Sequence, residues 1–226
     1  MKKIGMLGKN GFIGRTVLKE LEQRFPIVDG PCDILVNCAG FSIMYEARKN
    51  PAKMQAVEDY TFERISNVQF DYLIHLSTIY TVANPTDPYG RIKIAMENRV
   101  LEKYPKAAVL RLGSILGEGL KKNVVFDLLH DKSLWVTSDS IYNYISTEEV
   151  SKIIMKLIEV PIEGIINIGA SESISVKETA ELMGKNPIYG SIKDYVVIDT
   201  SLLQTFHSIK TSKAYIQEFV RKYNGT

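Results

Sequence analysis

Histidine and cysteine are scarce in this chain of 226 residues, at three and two copies. Cys32 and Cys38 lack the paired spacing of a metal knuckle, and with so few histidines a zinc site is not expected. A reducing cytoplasm fits that usage. Charge of one sign is also lacking: 28 basic and 26 acidic residues are interspersed, with a formal net charge of +2. This excludes the broad basic field that nucleic-acid binding usually needs. No run of 18 apolar residues occurs, and the opening MKKIGMLGKNGFIG is too short and too glycine-rich in its apolar part for a signal peptide. Neither membrane insertion nor export is expected. What is present, 45% hydrophobic and 24% charged residues, is the makeup of a globular protein with one large domain or a domain and a small lobe.

The pattern along the chain alternates. KKIGMLG reads as a strand, followed by a tight turn and a helix in which Ile13, Val17, Leu18 and Leu21 recur at helical spacing. DILVNCAG and DYLIHLSTIY are short, rich in branched residues and uninterrupted by polar alternation, as in strands buried on both faces of a parallel sheet. PAKMQAVEDYTFERISNV between them is helical, as is YGRIKIAMENRVLEKY after a loop holding Pro85 and Pro88, and AAVLRLGSILG is one more buried strand. Strands alternating with helices indicate a Rossmann-like, doubly wound α/β sheet. Residues 1–116 form its core, completed by about 145–170, and residues 117–226 form mainly a small mixed lobe. There NVVFDLLHDKSLWV is expected to run from helix to short strand, STEEVSKIIMKLIEV to be a helix capped by Ser146 or Thr147, GIINIGA to be a strand and DYVVIDTS to be strand-like. Trp135 is expected to pack inside that lobe, and His75 to be a core residue.

Gly8, Gly11 and Gly14 stand at three-residue intervals directly after the first strand. Glycine there permits positive φ, lets backbone approach a pyrophosphate and lets helix pack close to strand, with free N–H groups at the helix N-terminus. Asp29, at the end of the short second strand, is either a ribose ligand or a turn residue. A Tyr-x-x-x-Lys spacing occurs three times, at Tyr45, Tyr89 and Tyr189. Tyr89 and Lys93 share one helical face beside Ser77 and Thr78, which end a strand at the carboxyl edge of the sheet. Tyrosine, with a reference pKa of about 10, is a poor acid–base group near neutrality unless positive charge favours the phenolate, and Lys93 can supply that charge. Tyr189 and Lys193 lie in extended chain, where residues four apart are about 13 Å from one another. Tyr45 and Lys49 belong to a solvated helical turn.

The segments GKNGFIG, DILVNCAG, YLIHLSTIYTV, YGRIK, AVLRLGSILG, YNYISTEEVSKII, GIINIGASESISVKETAELMG and VIDTSLL come in the order seen in the extended short-chain dehydrogenase/reductases. The chain resembles their NAD-dependent epimerase/dehydratase branch, nearest to dTDP-4-dehydrorhamnose reductases. The resemblance implies that Gly8, Asn10, Gly11, Phe12, Ile13 and Gly14 form the pyrophosphate turn and that Cys38, Ala39 and Gly40 pass under the cofactor. Leu112 and Ile115 match backbone near the nicotinamide, and Ser77 joins the cofactor set. Tyr89 and Lys93 match the catalytic pair, with Thr78 the hydroxyl partner. Thr78, Ser114, Asn123 and Tyr142 are the substrate-side positions, Tyr142 standing where many relatives have an arginine for the diphosphate. Ile79 and Tyr80 replace the Asp-Glu of dehydratases, which disfavours dehydration. The spans from Gly14 to Ile34 and from Thr78 to Tyr89 are short, as in a pared-down member.

The expected activity is therefore that of a cytoplasmic NAD(P)-dependent oxidoreductase or epimerase acting on a nucleotide sugar, with hydride transfer and Tyr-Lys-Thr proton chemistry. Asp29 favours NAD; Lys9 and Arg15 favour the 2′-phosphate of NADP. The alternatives are a non-catalytic NAD(P)-binding sensor or scaffold, and a reductase of a non-nucleotide carbonyl compound. A homodimer through the helices carrying Tyr89 and Met54 to Ser66 is what the resemblance implies.

Overall fold

A computed structural model describes residues 1–224. The elements, in chain order, are β1 (Ile4–Leu7), α1 (Phe12–Leu21), β2 (Ile27–Val28), β3 (Ile34–Asn37), α2 (Met44–Lys49), α3 (Pro51–Ser66), β4 (Tyr72–Thr78), α4 (Tyr80–Ala83), α5 (Pro88–Lys103) and β5 (Ala107–Leu112). They continue with β6 (Ser114–Leu116), α6 (Val124–Leu129), β7 (Ile141–Tyr142), β8 (Tyr144–Ser146), α7 (Thr147–Glu159), β9 (Gly164–Ile168), β10 (Ile174–Ser175), α8 (Val176–Leu182), α9 (Ser201–Gln204) and α10 (Ser212–Asn224). Two compact units result, Met1–Arg111 with Val150–Ile166, and Leu112–Glu149 with Asn167–Thr226.

The first unit is built on a six-stranded sheet of order β2-β1-β3-β4-β5-β9. β1 pairs with β2 and β3, and β3 with β4, all in parallel register. Every residue of β1, β3 and β4 is buried, which is why those segments show no polar alternation. Leu7, Leu35, Leu73, Ala107 and Val109 pack against Ile65 of α3 and Met96 and Val100 of α5 in one apolar cluster. The strand order reverses between β1 and β3, so the crevice beyond Leu7 and Asn37 is the topological switch point where ligands of open α/β sheets bind.

In the second unit β6 pairs in parallel with β8, and β7 antiparallel with β10. α10 packs on β8 and on α8. Asn143 ties three segments together: its Nδ2 donates to the Ala170 carbonyl at 3.0 Å, and its Oδ1 accepts from the Ala170 N–H at 2.6 Å. A Cβ on Gly169 would lie 2.4 Å from that Oδ1, and one on Gly113 would lie 2.9 Å from the Asn143 carbonyl oxygen.

Several expectations require correction. AAVLRLGSILG is two strands, because the chain breaks pairing at Gly113, where the Asn143 carbonyl accepts from the Ser114 N–H at 2.8 Å. DYVVIDTS forms no strand; it makes a single bridge between Tyr195 and Ile141, and the expected strand after α6 is a single bridge between Val136 and Ile192. Apolar alternation there reflects one-sided packing of extended chain. Trp135 is 45% exposed and does not fill a core. The helix expected from Tyr89 starts one residue earlier, with Pro88 in its first turn and Asp87 as its cap, and the preceding loop holds the one-turn helix α4. Ser146 is the residue that caps α7, accepting from the Glu149 N–H at 3.1 Å.

Candidate active site in the first unit

The turn between β1 and α1 is shaped by two glycines. Gly8 has φ +76°, and a Cβ there would sit 2.5 Å from the Ala39 nitrogen; a Cβ on Gly14 would sit 2.0 Å from the Gly8 carbonyl oxygen. Helix and strand therefore approach more closely than any side chain allows. Gly11 caps α1 with backbone alone, donating its N–H to the Gly8 carbonyl. Beside this turn opens a cavity of about 740 Å³, lined by Gly8, Lys9, Asn10, Gly11, Asp29 and Arg64 among others. Its volume suits a nucleotide-sized ligand. Asp29 is at this cavity, and its carboxylate accepts from Lys9 Nζ at 3.1 Å in an exposed pair. Arg64 of α3 and Asn67, which follows that helix as its C-cap, also line it, and sequence reasoning missed both. Phe12 and Ile13 begin α1 itself. The turn, its free N–H groups and the cavity fit the dinucleotide implied by the sequence.

At the carboxyl end of β4, Ser77 and Thr78 are both buried. The Ser77 hydroxyl donates to Glu97 Oε1 at 2.6 Å, so it serves a structural ion pair. Glu97 also accepts from Arg111 Nε and Nη2, the shortest contact being 2.6 Å. Thr78 stands near enough to the Tyr89 phenol to act on its ionisation, and its Oγ1 accepts from the Tyr80 N–H at 3.3 Å. Tyr89 is fixed from below, because Asp87 Oδ1 accepts its backbone N–H at 2.9 Å while Arg48 Nε donates to Asp87 Oδ2 at 2.6 Å. Ala47 of α2 and Met54 of α3 pack on its ring, and Tyr80 meets it edge-on at 6.3 Å between centroids.

Lys93 departs from expectation. Its Nζ donates to Glu58 Oε1 at 2.7 Å in a pair whose side chains are 6% and 1% exposed. Glu58 Oε1 also accepts the Phe41 N–H at 2.7 Å, whereas Oε2 has no hydrogen-bond partner. Gly40 covers the pair, since a Cβ there would lie 3.1 Å from Lys93 Nζ and 3.3 Å from Glu58 Oε1. The ammonium is thus not free to favour the phenolate unopposed. The Tyr89 phenol is pushed above its ordinary value, chiefly by burial; Lys93 and Thr78 act downward, and Glu58 adds to the rise. Nearby, His75 is buried with Nδ1 2.9 Å from Asn37 Nδ2, and burial with the Lys93 charge lowers its pKa to about 3. It is a core residue, as expected, but not a fully satisfied one, since its buried Nε2 has no hydrogen-bond partner among the described residues. The Cys38 thiol is pushed up to about 12 by burial, leaving it inert beside Ala39, which is held by Asn37.

Glu58 was missed by sequence reasoning, yet a signal exists. Met54, Glu58, Thr61 and Ile65 form the buried stripe of α3, and an acid within such a stripe needs a buried partner. Lys93 and Glu97 stand likewise among the buried residues of α5.

The other sequence-predicted residues lie in the second unit. Leu112 is buried and Ile115 half-buried, with the Ile115 carbonyl accepting from Asn123 Nδ2 at 3.2 Å. Asn123 caps α6 through Oδ1 on the Phe126 N–H at 2.9 Å, so both ends of its amide are engaged in holding the backbone. Ser114 is half-buried in β6. Tyr142 is buried and its hydroxyl donates to Asp194 Oδ2 at 2.9 Å. Of the two remaining Tyr-x-x-x-Lys pairs, Tyr45 is 61% exposed with Lys49 Nζ 4.4 Å from its ring centre, and Lys193 is ion-paired to Asp139 at 2.5 Å. Among the described residues no group of three acidic, histidine or cysteine side chains could hold a metal, and no helix is long and apolar enough to cross a membrane.

A parallel sheet with its switch point beside a glycine turn defines a Rossmann-like α/β fold. Residues 20–191 match the model of the RmlD substrate binding domain, and the chain belongs to that family. Solved structures share the fold. A dTDP-4-dehydrorhamnose reductase from Clostridium acetobutylicum is 17% identical with a TM-score of 0.80, the match covering 98% of this chain and 99% of that one. RMD from Pseudomonas aeruginosa, complexed with NADPH, is 13% identical with a TM-score of 0.80 over 100% and 99% of the two chains. A UDP-glucose 4-epimerase from Thermotoga maritima, with UDP-glucose, is 15% identical with a TM-score of 0.76 over 98% and 99%. No curated protein matches in sequence.

Proposed function

We propose that this protein is an NAD(P)-dependent reductase of a keto group on a nucleotide sugar. The observation that carries the reading is the buried Tyr89 phenol, on which Thr78 at the end of β4 and Lys93 both act, in the unit that also holds the glycine turn and its cavity. A phenol pushed above its ordinary value keeps its proton near neutral pH and acts as an acid. Thr78 would orient the carbonyl oxygen of the substrate, and Tyr89 would give that oxygen its proton. The reduced nicotinamide, when bound, supplies the hydride. Lys93, one of whose donors is on Glu58, has two N–H groups left for ribose hydroxyls. Gly8, Asn10 and Gly11 would cradle the pyrophosphate, and Gly40 leaves room above the Lys93 pair. Family membership and the nucleotide-sugar enzymes of like fold support the substrate class. Ser114 and Tyr142 are candidate substrate residues by the family resemblance alone.

The test is direct. NADH and NADPH are titrated separately by fluorescence, followed by turnover assays with dTDP-4-keto sugars and, for the epimerase reading, UDP-sugars. Tyr89→Phe is expected to bind cofactor like the wild type and to lose turnover by about 10²- to 10⁴-fold, the range for a general acid. Absence of binding by either cofactor, or undiminished turnover in Tyr89→Phe, would overturn the proposal.

A further inference from the structure

Glu58 has no part in the proton and hydride chemistry proposed above. A carboxylate buried to 1% exposure, with one oxygen unpartnered, is an expensive group to keep where Gln would satisfy Phe41 equally well. What distinguishes Glu from Gln there is its charge, and Lys93 receives it at 2.7 Å.

The geometry points to Glu58 as a positioning residue that pairs with Lys93 and offsets the charge its ammonium presents to Tyr89. The inference rests on the reading of Tyr89 as the acid. The groups facing Tyr89 are few. Its own helix contributes Lys93, α3 contributes Glu58, β4 contributes Thr78, α4 contributes the neutral Tyr80, and α2, whose Ala47 packs with the ring, carries Arg48, which is paired with the helix cap Asp87. The charges that act on the phenol are Lys93 and Glu58. They oppose one another, and Glu58 reaches Tyr89 both directly and by cancelling the ammonium.

The experiment follows the Tyr89 ring by NMR in full-length protein labelled at tyrosine Cζ, with the signal assigned by its loss in Tyr89→Phe. In Glu58→Gln the phenol is expected to titrate about one pH unit or more lower than in wild type, the effect of one charge within about 4–6 Å. Glu58→Asp, which restores the charge, is expected to follow the wild type. If Glu58→Gln does not fold, Lys93→Met reads the same coupling, and its Tyr89 should hold its proton to still higher pH than wild type. An unmoved Tyr89 midpoint in folded Glu58→Gln, or in Lys93→Met, overturns the inference. NADPH and NADH binding are measured on the same wild-type sample. Lack of cofactor binding defeats the proposed function alone, whereas an unmoved midpoint in protein that binds cofactor defeats only the role of Glu58.

Discussion

Replacing Gly14 by alanine tests the close approach of α1 to β1. The added Cβ would fall 2.0 Å from the Gly8 carbonyl oxygen, 2.9 Å from its carbonyl carbon and 3.2 Å from Lys9 Cα, all backbone atoms that cannot swing aside. An ordinary C···O approach is about 3.3 Å, so the turn must move by more than about 1 Å. Overpacking of this kind costs about 1–3 kcal/mol. Gly14 lies within α1, where alanine regains about 0.5–1 kcal/mol of helix preference, leaving a net loss of about 1–2 kcal/mol. The displaced atoms line the cavity beside the turn, so nucleotide affinity should fall by about tenfold or more, equivalent to 1.4 kcal/mol. Urea unfolding reads the first quantity and NAD(P)H fluorescence titration the second. Wild-type stability in Gly14→Ala would refute the steric argument; wild-type affinity in a measurably destabilised variant would refute the placement of the nucleotide at this turn.

Three further outcomes follow from the same contacts. Arg111→Met leaves Glu97 buried without its bidentate partner and should cost about 3 kcal/mol in urea unfolding, much of it recovered in the Glu97→Leu/Arg111→Met double variant. Ser175→Ala removes the capping box of α8, in which Ser175 and Glu178 bond each other's backbone N–H, and should lower stability by about 1 kcal/mol in the same assay. His75, lowered to about 3 when folded, must stay neutral in the native state while the unfolded chain takes up a proton below about 6.5. Its contribution is therefore present above that pH and is lost as pH falls, on the order of 3 kcal/mol by pH 4. Unfolding of His75→Gln should depend less on pH between 7 and 4 than wild type does.

The sheet was legible because its strands are buried on both faces, so DILVNCAG and DYLIHLSTIY carry unbroken apolar runs that nothing else explains. Tyr89, Lys93 and Thr78 could be placed near one another because a helical face and a strand end restrict where side chains go. What α3 adds could not be read in this way. Glu58 reaches Lys93 across 35 residues of sequence, and only its place in the stripe of Met54 and Ile65 betrays it. The direction of the Tyr89 shift escapes the sequence for a related reason: the charge of Lys93 is visible there, and the burial of the phenol, to which Glu58 adds, is not. In the second unit the periodicity of NVVFDLLHDKSLWV and DYVVIDTS was real, but single bridges at Val136 and Tyr195 leave too little pairing to make strands.

Asn143 offers a different kind of consequence. By bonding both the N–H and the carbonyl of Ala170, its side-chain amide stands in for a neighbouring peptide, and Gly113 and Gly169 are the room it needs. Those three positions are then free to drift only in concert. A side chain appearing first at Gly169 meets the amide, and loss of the amide first strands the Ala170 backbone. Among descendants of this sequence, the trio should be inherited or lost as a block, and a chain carrying Asn at 143 with a bulky residue at 169 should be hard to find.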